Sequence, residues 1–162
     1  MANSIITENV KEFLENQEFI NIATSDFTGC PNVAPKFLLK IEDDYIYLVD
    51  YVMGRTYRNI EINPKVSIST VNVDTLTGYQ INGKAQIIEQ GAAYENFIEE
   101  FRKRQIQFSV MRIIAGVQKE AKHKTFETNL PERIAVFKIK VEEVVEIVPT
   151  GELKRKRSPL QH

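Results

Sequence analysis

The segment with the clearest chemical content places two arginines and a threonine at the start of a short predicted helix. Arg55, Thr56 and Arg58 follow Gly54 and precede Ile60 at helical spacing. The first turn of a helix presents unbonded N–H groups and the positive end of the helix dipole, which favours anions. Guanidinium groups add charge-assisted hydrogen bonds to phosphate oxygens. These residues predict a phosphate-binding site, although the two arginines could instead solvate an exposed helix face.

A second stretch, Gly78 to Lys84, has the Gly-x4-Gly-Lys spacing of a nucleotide-binding P-loop. Three features argue against nucleotide binding. Ala85 stands where the magnesium-binding hydroxyl would be, and the stretch alternates like a strand. In addition, no long amphipathic helix begins at Lys84 to direct its N-terminus at a phosphate. We therefore interpret this stretch as a β-strand.

Other sequence signatures of catalysis are missing. The sequence contains no Gly-x-Gly-x-x-Gly, Gly-x-Ser-x-Gly or His-Glu-x-x-His motif. The single cysteine, Cys30, excludes an internal disulfide and a cluster held by several thiolates of one chain. The two histidines, His123 and His162, leave little for a histidine-based metal site or a hydrolytic triad. We predict no metal site, name no catalytic acid or base, and expect any chemistry to come from a cofactor.

The composition is that of one folded domain without a strong electrostatic bias. The chain has 162 residues, 43% hydrophobic and 27% charged, with a net charge of -1. This balance predicts no general attraction to nucleic acid or to anionic membranes. No apolar run approaches the roughly 20 residues of a membrane span, and the amino end lacks a secretory signal. A cytoplasmic protein is therefore expected.

Alternating and helical patterns predict the elements that would position the phosphate site. Helical spacing indicates amphipathic helices at 6–14, 54–62 and 94–101. Alternation and β-branched composition indicate six strands, at 19–24, 32–41, 45–49, 66–70, 79–87 and 137–141. Such closely spaced strands favour an antiparallel barrel with peripheral helices, because parallel strands need long crossovers. The fold class is therefore mainly β (α+β), and the stretch 106–133 stays ambiguous.

We predict one domain over residues 1–150, followed by a basic C-terminal tail at 151–162 that is solvated and mobile. The run from Lys154 to Arg157 could also be a nucleic-acid patch, but it lacks interleaved aromatic residues. A dimer is expected because an open barrel with apolar strand faces, such as Phe137, Ile139 and Val141, would expose a larger patch than soluble monomers usually do.

Residues 22–89 resemble the pyridoxamine 5'-phosphate oxidase-like family of FMN-binding split barrels. The resemblance rests on an ordered set of motifs, namely Ala23-Thr24, the turn Asp26 to Gly29, Pro31 to Pro35, Arg55 to Ile60, Asn63 to Ile68, and the strand Tyr79 to Ala85. It implies a six-stranded antiparallel split barrel and a homodimer that binds FMN in the grooves at the subunit interface.

The resemblance also implies which residues contact the ring, the ribityl chain and the phosphate. The isoalloxazine ring would lie along Val33, Ala34, Pro35 and Lys36, with the partner subunit's Tyr79 on its other side. The ribityl chain would pass Val49 and Asp50, and the phosphate would contact Arg55 and Thr56 with Arg58 close by. The chain has no tryptophan, whereas the oxidase carries one, so oxidation of pyridoxamine phosphate itself is not expected.

The implied function is that of an FMN-binding flavoprotein, an oxidoreductase that acts on an unknown small-molecule substrate. The alternative is a non-catalytic module that stores or senses a flavin, a heme or another planar ligand. The family includes members that use a deazaflavin and members that handle heme, so fold membership leaves the cofactor and substrate open.

Overall fold

The computed structural model describes residues 4–118 and 133–159, which form three helices and seven strands. In chain order these are α1 (Glu8–Glu15), β1 (Phe19–Ser25), β2 (Pro31–Glu42), β3 (Tyr45–Asp50), α2 (Arg55–Ile62), β4 (Lys65–Asn72), β5 (Thr77–Ile88), α3 (Ala92–Gln118), β6 (Ala135–Ile147) and β7 (Leu153–Arg157). No helix in the described ranges is both long and apolar enough to cross a membrane.

Six of the strands close into an antiparallel barrel. Hydrogen-bonded neighbours follow the order β3-β2-β1-β4-β5-β6, and β6 pairs back with β3 to close the ring. Each of these pairings is antiparallel, and each short hairpin joins strands that are adjacent in the sheet. The predicted fold class, a six-stranded antiparallel split barrel with peripheral helices, is confirmed.

Successive side chains of a strand point to opposite faces of the sheet, so the barrel has two separate hydrophobic cores, one on each face. The inner core fills the barrel with fully buried side chains that include Ile22, Leu38 and Ile139. The second core lies between α3 and the outer face of β2, β3 and β6, where Phe101 of the helix packs against Phe37. Burying each such side chain contributes roughly 1.5–3 kcal/mol relative to leaving it exposed.

Helices α1 and α2 cover opposite ends of the barrel. Thr7 is the N-cap of α1, and its Oγ1 accepts a hydrogen bond from the Val10 amide at 3.4 Å. Its Phe13 meets Tyr79 of β5 edge to face, with ring centroids 4.8 Å apart. At the other end, α2 buries Tyr57 in the inner core.

The expectation of a mobile tail after residue 150 is wrong for Leu153–Arg157, which form β7. This strand pairs with the C-terminal part of β6, beyond the part of β6 that pairs with β3. Arg155 and Arg157 both donate to Glu143 Oε1, at 3.2 and 2.6 Å. Opposite charges across neighbouring strands stabilise their pairing, so an acidic residue on β6 helps to order a run of basic residues.

The apolar face from which a dimer was expected lies inside the barrel. Phe137, Ile139 and Val141 are fully buried within a single chain, because the barrel is closed rather than open. That reason for expecting a dimer is therefore wrong. Large apolar side chains are exposed elsewhere, on the outer faces of strands and on the second half of α3, including Phe19, Val33, Val71, Ile106 and Val110.

Two other sequence interpretations concern β5 and α3. The P-loop-like stretch from Gly78 to Lys84 lies within β5, as its alternation predicted. α3 runs to Gln118, so the first part of the ambiguous stretch is helical. Residues 119–132, the remainder of that stretch except Arg133, lie outside the described residues.

Candidate cofactor-binding site

Strands β2 and β3 separate at one end of the barrel and leave a backbone edge of β2 without a neighbouring strand in the described part of the chain. β2 pairs with β1 from Pro31 to Phe37, but it pairs with β3 only from Phe37 onward. The last pair between β2 and β3 joins Phe37 and Val49. Within residues 4–118 and 133–159, residues 31–36 of β2, which we call the open edge, are therefore paired on one side only.

The register with β1 determines which backbone groups face outward from the open edge. Leu38 donates its backbone N–H to the Glu18 carbonyl at 3.0 Å. The backbone of Leu38 therefore faces β1. Because bonded and non-bonded positions alternate along an antiparallel pair, residues an odd number of positions before Leu38, such as Val33 and Pro35, direct their backbone groups away from β1. Proline has no N–H, so the open edge offers the N–H and carbonyl of Val33 and the carbonyl of Pro35.

The first turn of α2 lies against the start of β2, where it forms a group of potential anion donors. Asn32 of β2 donates from Nδ2 to Thr56 Oγ1 at 3.0 Å. The N-cap residue is Gly54, which has no side chain to bond the first amides of the helix, so their N–H groups stay available. Arg55 and Arg58 are exposed, and among the described residues neither forms an ion pair. We call Arg55, Thr56 and Arg58 with these amides the anion cradle.

Buried polar side chains close the barrel end beneath the anion cradle. Thr24 Oγ1 accepts hydrogen bonds from Asn59 Nδ2 at 3.1 Å and from Asn32 Nδ2 at 3.4 Å. Thr24, Thr56 and Asn59 are buried, so these bonds join β1, β2 and α2 in a connected network. Sequence reasoning did not identify Thr24, Asn32 or Asn59. The sequence did contain one indication: Thr24 lies two positions after Ile22, so it shares the buried face of β1 with Ile20 and Ile22.

A buried ion pair lies at the point where β2 and β3 separate. Lys36 Nζ is 2.9 Å from Asp50 Oδ1, and the two side chains are 6% and 0% exposed. The same oxygen accepts the backbone N–H of Val52 at 3.0 Å. Asp50 Oδ2 is buried and has no hydrogen-bond partner among the described residues. A buried charge is tolerated only when it is paired, so each partner depends on the other.

The structure brings together eight of the ten predicted cofactor-binding residues. Those residues are Val33, Ala34, Pro35, Lys36, Asp50, Arg55, Thr56 and Arg58, which lie on the open edge, at the β2–β3 separation and on α2. Three of the eight, Lys36, Asp50 and Thr56, have buried side chains in the single chain. Val49 is not among the eight because alternation places its side chain on the opposite face of β3, under α3.

Tyr79 lies at the opposite end of the barrel. It is 6% exposed, packs against Phe13, and lines a cavity of about 190 Å³ together with Lys154 and Lys156. Burial and the nearby Glu146 carboxylate raise the pKa of its hydroxyl. The contact expected from the partner subunit's Tyr79 stays a prediction.

Metal ligands do not cluster in the described parts of the chain. Within residues 4–118 and 133–159, no three His, Cys, Asp or Glu side chains come together in a group that could hold a metal ion. The chemistry that the described site can supply is anion binding by guanidinium and amide groups, and hydrogen bonding by an exposed backbone edge.

The split-barrel fold agrees with the family whose model the sequence matches. The model of the family described as pyridoxamine 5'-phosphate oxidase matches residues 6–147. The chain belongs to this family.

Two relatives differ in how much of the chain they match. The uncharacterized protein MJ0282 of Methanocaldococcus jannaschii is 36% identical over 101 residues, which cover 60% of this chain and 66% of that protein. Heme oxygenase HutZ of Vibrio cholerae is 33% identical over 66 residues, 41% of this chain and 37% of HutZ. The matched segments thus span just under two thirds of the first relative and just over a third of the second.

Similar solved structures cover nearly the whole chain. HupZ of Group A Streptococcus superposes with a TM-score of 0.65 at 29% identity, covering 92% of this chain and 98% of that chain. HutZ, the heme storage protein of Vibrio cholerae, gives 0.61 at 19% identity, with 91% and 99% covered. A pyridoxamine 5'-phosphate oxidase-related, FMN-binding protein of Nostoc punctiforme gives 0.59 at 11% identity, with 99% and 100% covered. The last two likenesses show the shared fold.

Proposed function

We propose that this protein is a cytoplasmic, homodimeric FMN-binding flavoprotein that acts as an oxidoreductase on a small-molecule substrate. One observation carries the proposal: the open edge of β2 lies beside the first turn of α2, where Arg55 and Arg58 are exposed and unpaired among the described residues. This arrangement provides one place for a polar ring edge and another for a phosphate.

The anion cradle fits the phosphate of FMN. The phosphate carries negative charge that two guanidinium groups can neutralise, and the uncapped amides of α2 add donors at the positive end of the helix dipole. Thr56 contributes a hydroxyl without charge. Each charge-assisted hydrogen bond in such a site contributes about 1.5–3 kcal/mol.

The open edge fits the polar edge of the flavin ring. That ring edge alternates hydrogen-bond donors and acceptors, and Val33 offers both an N–H and a carbonyl while Pro35 offers a carbonyl. When bound, FMN supplies the hydride- or electron-transfer chemistry, and the chain's residues hold and orient it. Val33 is 65% exposed in the single chain, so this side of the site is open to a second subunit that would cover the ring.

Ligand titration and reduction test this proposal. The purified protein is titrated with FMN and followed by flavin fluorescence, and the complex is then mixed anaerobically with reduced nicotinamide. We expect one FMN per chain and bleaching of the flavin absorbance. The absence of FMN binding at micromolar concentration would overturn the proposal. Bound FMN that no electron donor reduces would instead identify a storage or sensing module.

Heme binding is a second candidate, favoured by the 33% identity to the heme oxygenase HutZ over 66 residues. The exposed arginines of α2 and the open edge of β2 instead favour FMN. A hemin titration separates the two candidates, because a saturable Soret band at one hemin per chain without FMN binding would favour heme.

A further inference from the structure

Lys36 and Asp50 occupy the positions where the next pair between β2 and β3 would form after Phe37 and Val49. The backbones separate there, and the side chains form the ion pair across the gap. We propose that Lys36 and Asp50 are positioning residues that fix this separation and thereby orient the anion cradle. The ligand-binding part of this inference rests on the proposed function.

The bonds of Asp50 connect the open edge with the segment that leads into α2. Asp50 Oδ1 accepts from Lys36 on β2 and from the Val52 amide in the loop between β3 and α2. Val52 is 69% exposed, so its side chain adds little packing to hold this loop. Met53, which packs against the inner core, adopts a φ of 50°, a left-handed conformation that non-glycine residues rarely adopt. Among the described residues, the loop that leads into Arg55 is thus held by the hydrogen bond of Val52 to Asp50 and by the packing of Met53 in an unusual backbone conformation.

Stability alone does not account for this ion pair. Replacing a buried ion pair with apolar residues of similar size is often neutral or stabilising, whereas removing one partner is strongly destabilising. Asp50 Oδ2 also lacks a partner among the described residues, which is unfavourable for a buried carboxylate. An arrangement that is costly for stability but well defined in geometry is typical of a functional constraint.

Direct contact with a ligand is not needed for this role. The two side chains are 6% and 0% exposed, so within the single chain they are covered by protein. They would affect a bound phosphate indirectly: the hydrogen bond from the Val52 amide to Asp50 holds the loop, and the loop sets the position of the first turn of α2. The ring would instead contact residues 31–35 of the open edge, whose pairing with β1 does not depend on Asp50.

The double variant Lys36→Met/Asp50→Leu tests the proposal, because it removes both charges without leaving one unpaired. The matched control is Lys84→Met/Glu142→Leu, which removes an exposed ion pair of 3.2 Å elsewhere on the barrel. FMN and riboflavin are titrated into each protein by flavin fluorescence. We expect the test variant to bind FMN about tenfold more weakly or worse, the low end for losing one charge-assisted hydrogen bond. Riboflavin, which has no phosphate, should bind nearly as it does to the unaltered protein.

Hydrogen exchange of the ligand-free proteins provides a readout that is independent of FMN. We expect faster amide exchange at residues 51–56 in the test variant, with β1 and β4 unchanged, and no change in the control variant. Unchanged exchange at 51–56, or FMN and riboflavin binding weakened in parallel, would overturn the positioning role. If the double variant does not fold, Asp50→Asn, which keeps the side-chain size, is measured in the same way.

The two proposals fail in different ways. If the unaltered protein binds no FMN, the proposed function falls, and the exchange measurement alone decides whether the ion pair positions the loop. If FMN binds but the double variant binds it normally, only the positioning role falls.

Discussion

Asn32 on β2 and Thr56 on α2 are joined by a hydrogen bond of 3.0 Å from Nδ2 to Oγ1, although they are 24 positions apart in the chain. This bond holds the first turn of α2 against the start of the open edge. Because the Thr56 oxygen accepts from Asn32, the hydroxyl hydrogen remains available to donate to an anion. Under the proposed function, Thr56 would assist Arg55 in binding the phosphate without adding charge.

Arg55→Ala should weaken FMN binding and leave riboflavin binding nearly unchanged. The substitution removes charge-assisted hydrogen bonds of about 1.5–3 kcal/mol, which correspond to roughly 10- to 150-fold in the dissociation constant. Titration of both ligands by flavin fluorescence measures the difference.

The control for this prediction is Arg102→Ala, which removes an exposed arginine of α3 and should affect neither ligand. A misfolded variant would lose riboflavin as well as FMN. If Arg55→Ala binds FMN as tightly as the unaltered protein, Arg55 is an ordinary solvated residue and the anion cradle is assigned incorrectly.

The molecular mass in solution should be twice the 18.7 kDa of one chain. Phe19, Val33 and Val71 are exposed on the outer faces of three adjacent strands, and pairing of two chains through this face would remove apolar surface from water. Light scattering at micromolar concentration, with and without FMN, measures the mass. A monomeric mass under both conditions would contradict the proposal that the cofactor binds in a groove between subunits.

Much of the barrel could be predicted because period-two alternation is a local signal. Val66 and Ile68 of β4 alternate with polar Ser67 and Ser69, and the structure buries both. β7 could not be predicted in this way, since Lys154 to Arg157 are all basic and show no alternation. Its pairing depends on Glu143 of β6, a contact that only the tertiary structure supplies.

The candidate site shows the same division between local and distant information. Arg55 and Arg58 could be predicted from a helix start and from a resemblance, because both signals lie within one short segment. The pairing of Lys36 with Asp50 depends on the register of two strands and on where their pairing stops. Neither feature can be read from the residue types alone.

Asp44→Asn should lower the free energy of unfolding by an amount that depends on pH. Asp44 Oδ1 accepts hydrogen bonds from the Ser4 hydroxyl at 2.7 Å and from the Ile5 and Ile6 amides at 2.7 and 3.1 Å. Burial raises the pKa of this carboxyl, but these bonds and the charge of Lys156 outweigh burial and lower its pKa below the usual 3.8.

The direction of this pH dependence follows from the lowered pKa of Asp44. A carboxylate whose pKa is lower in the folded state stabilises the fold above its ordinary pKa and loses that contribution as the pH falls through the lowered value. The stability difference between the unaltered protein and Asp44→Asn should be constant near neutral pH and shrink below about pH 4. Urea unfolding across pH measures it, with the exposed neighbour Asp43→Asn as the control. A difference that does not change with pH would contradict this account of Asp44.

Gly83→Ala should destabilise the protein because β6 leaves no room for a side chain at this position of β5. A Cβ atom on Gly83 would lie 2.2 Å from the Lys140 carbonyl oxygen and 3.3 Å from Ile139 Cγ2. The β5–β6 pairing is irregular between Asn82 and Gly83, so the backbones would have to move apart. Overpacking of this kind costs about 1–3 kcal/mol, measured as a loss in the free energy of unfolding by urea titration. At Gly78, where the nearest contact would be 3.1 Å from the Thr70 carbonyl oxygen, alanine should cost less. Equal losses at the two positions would mean that close approach to β6 is not the reason for a glycine at position 83.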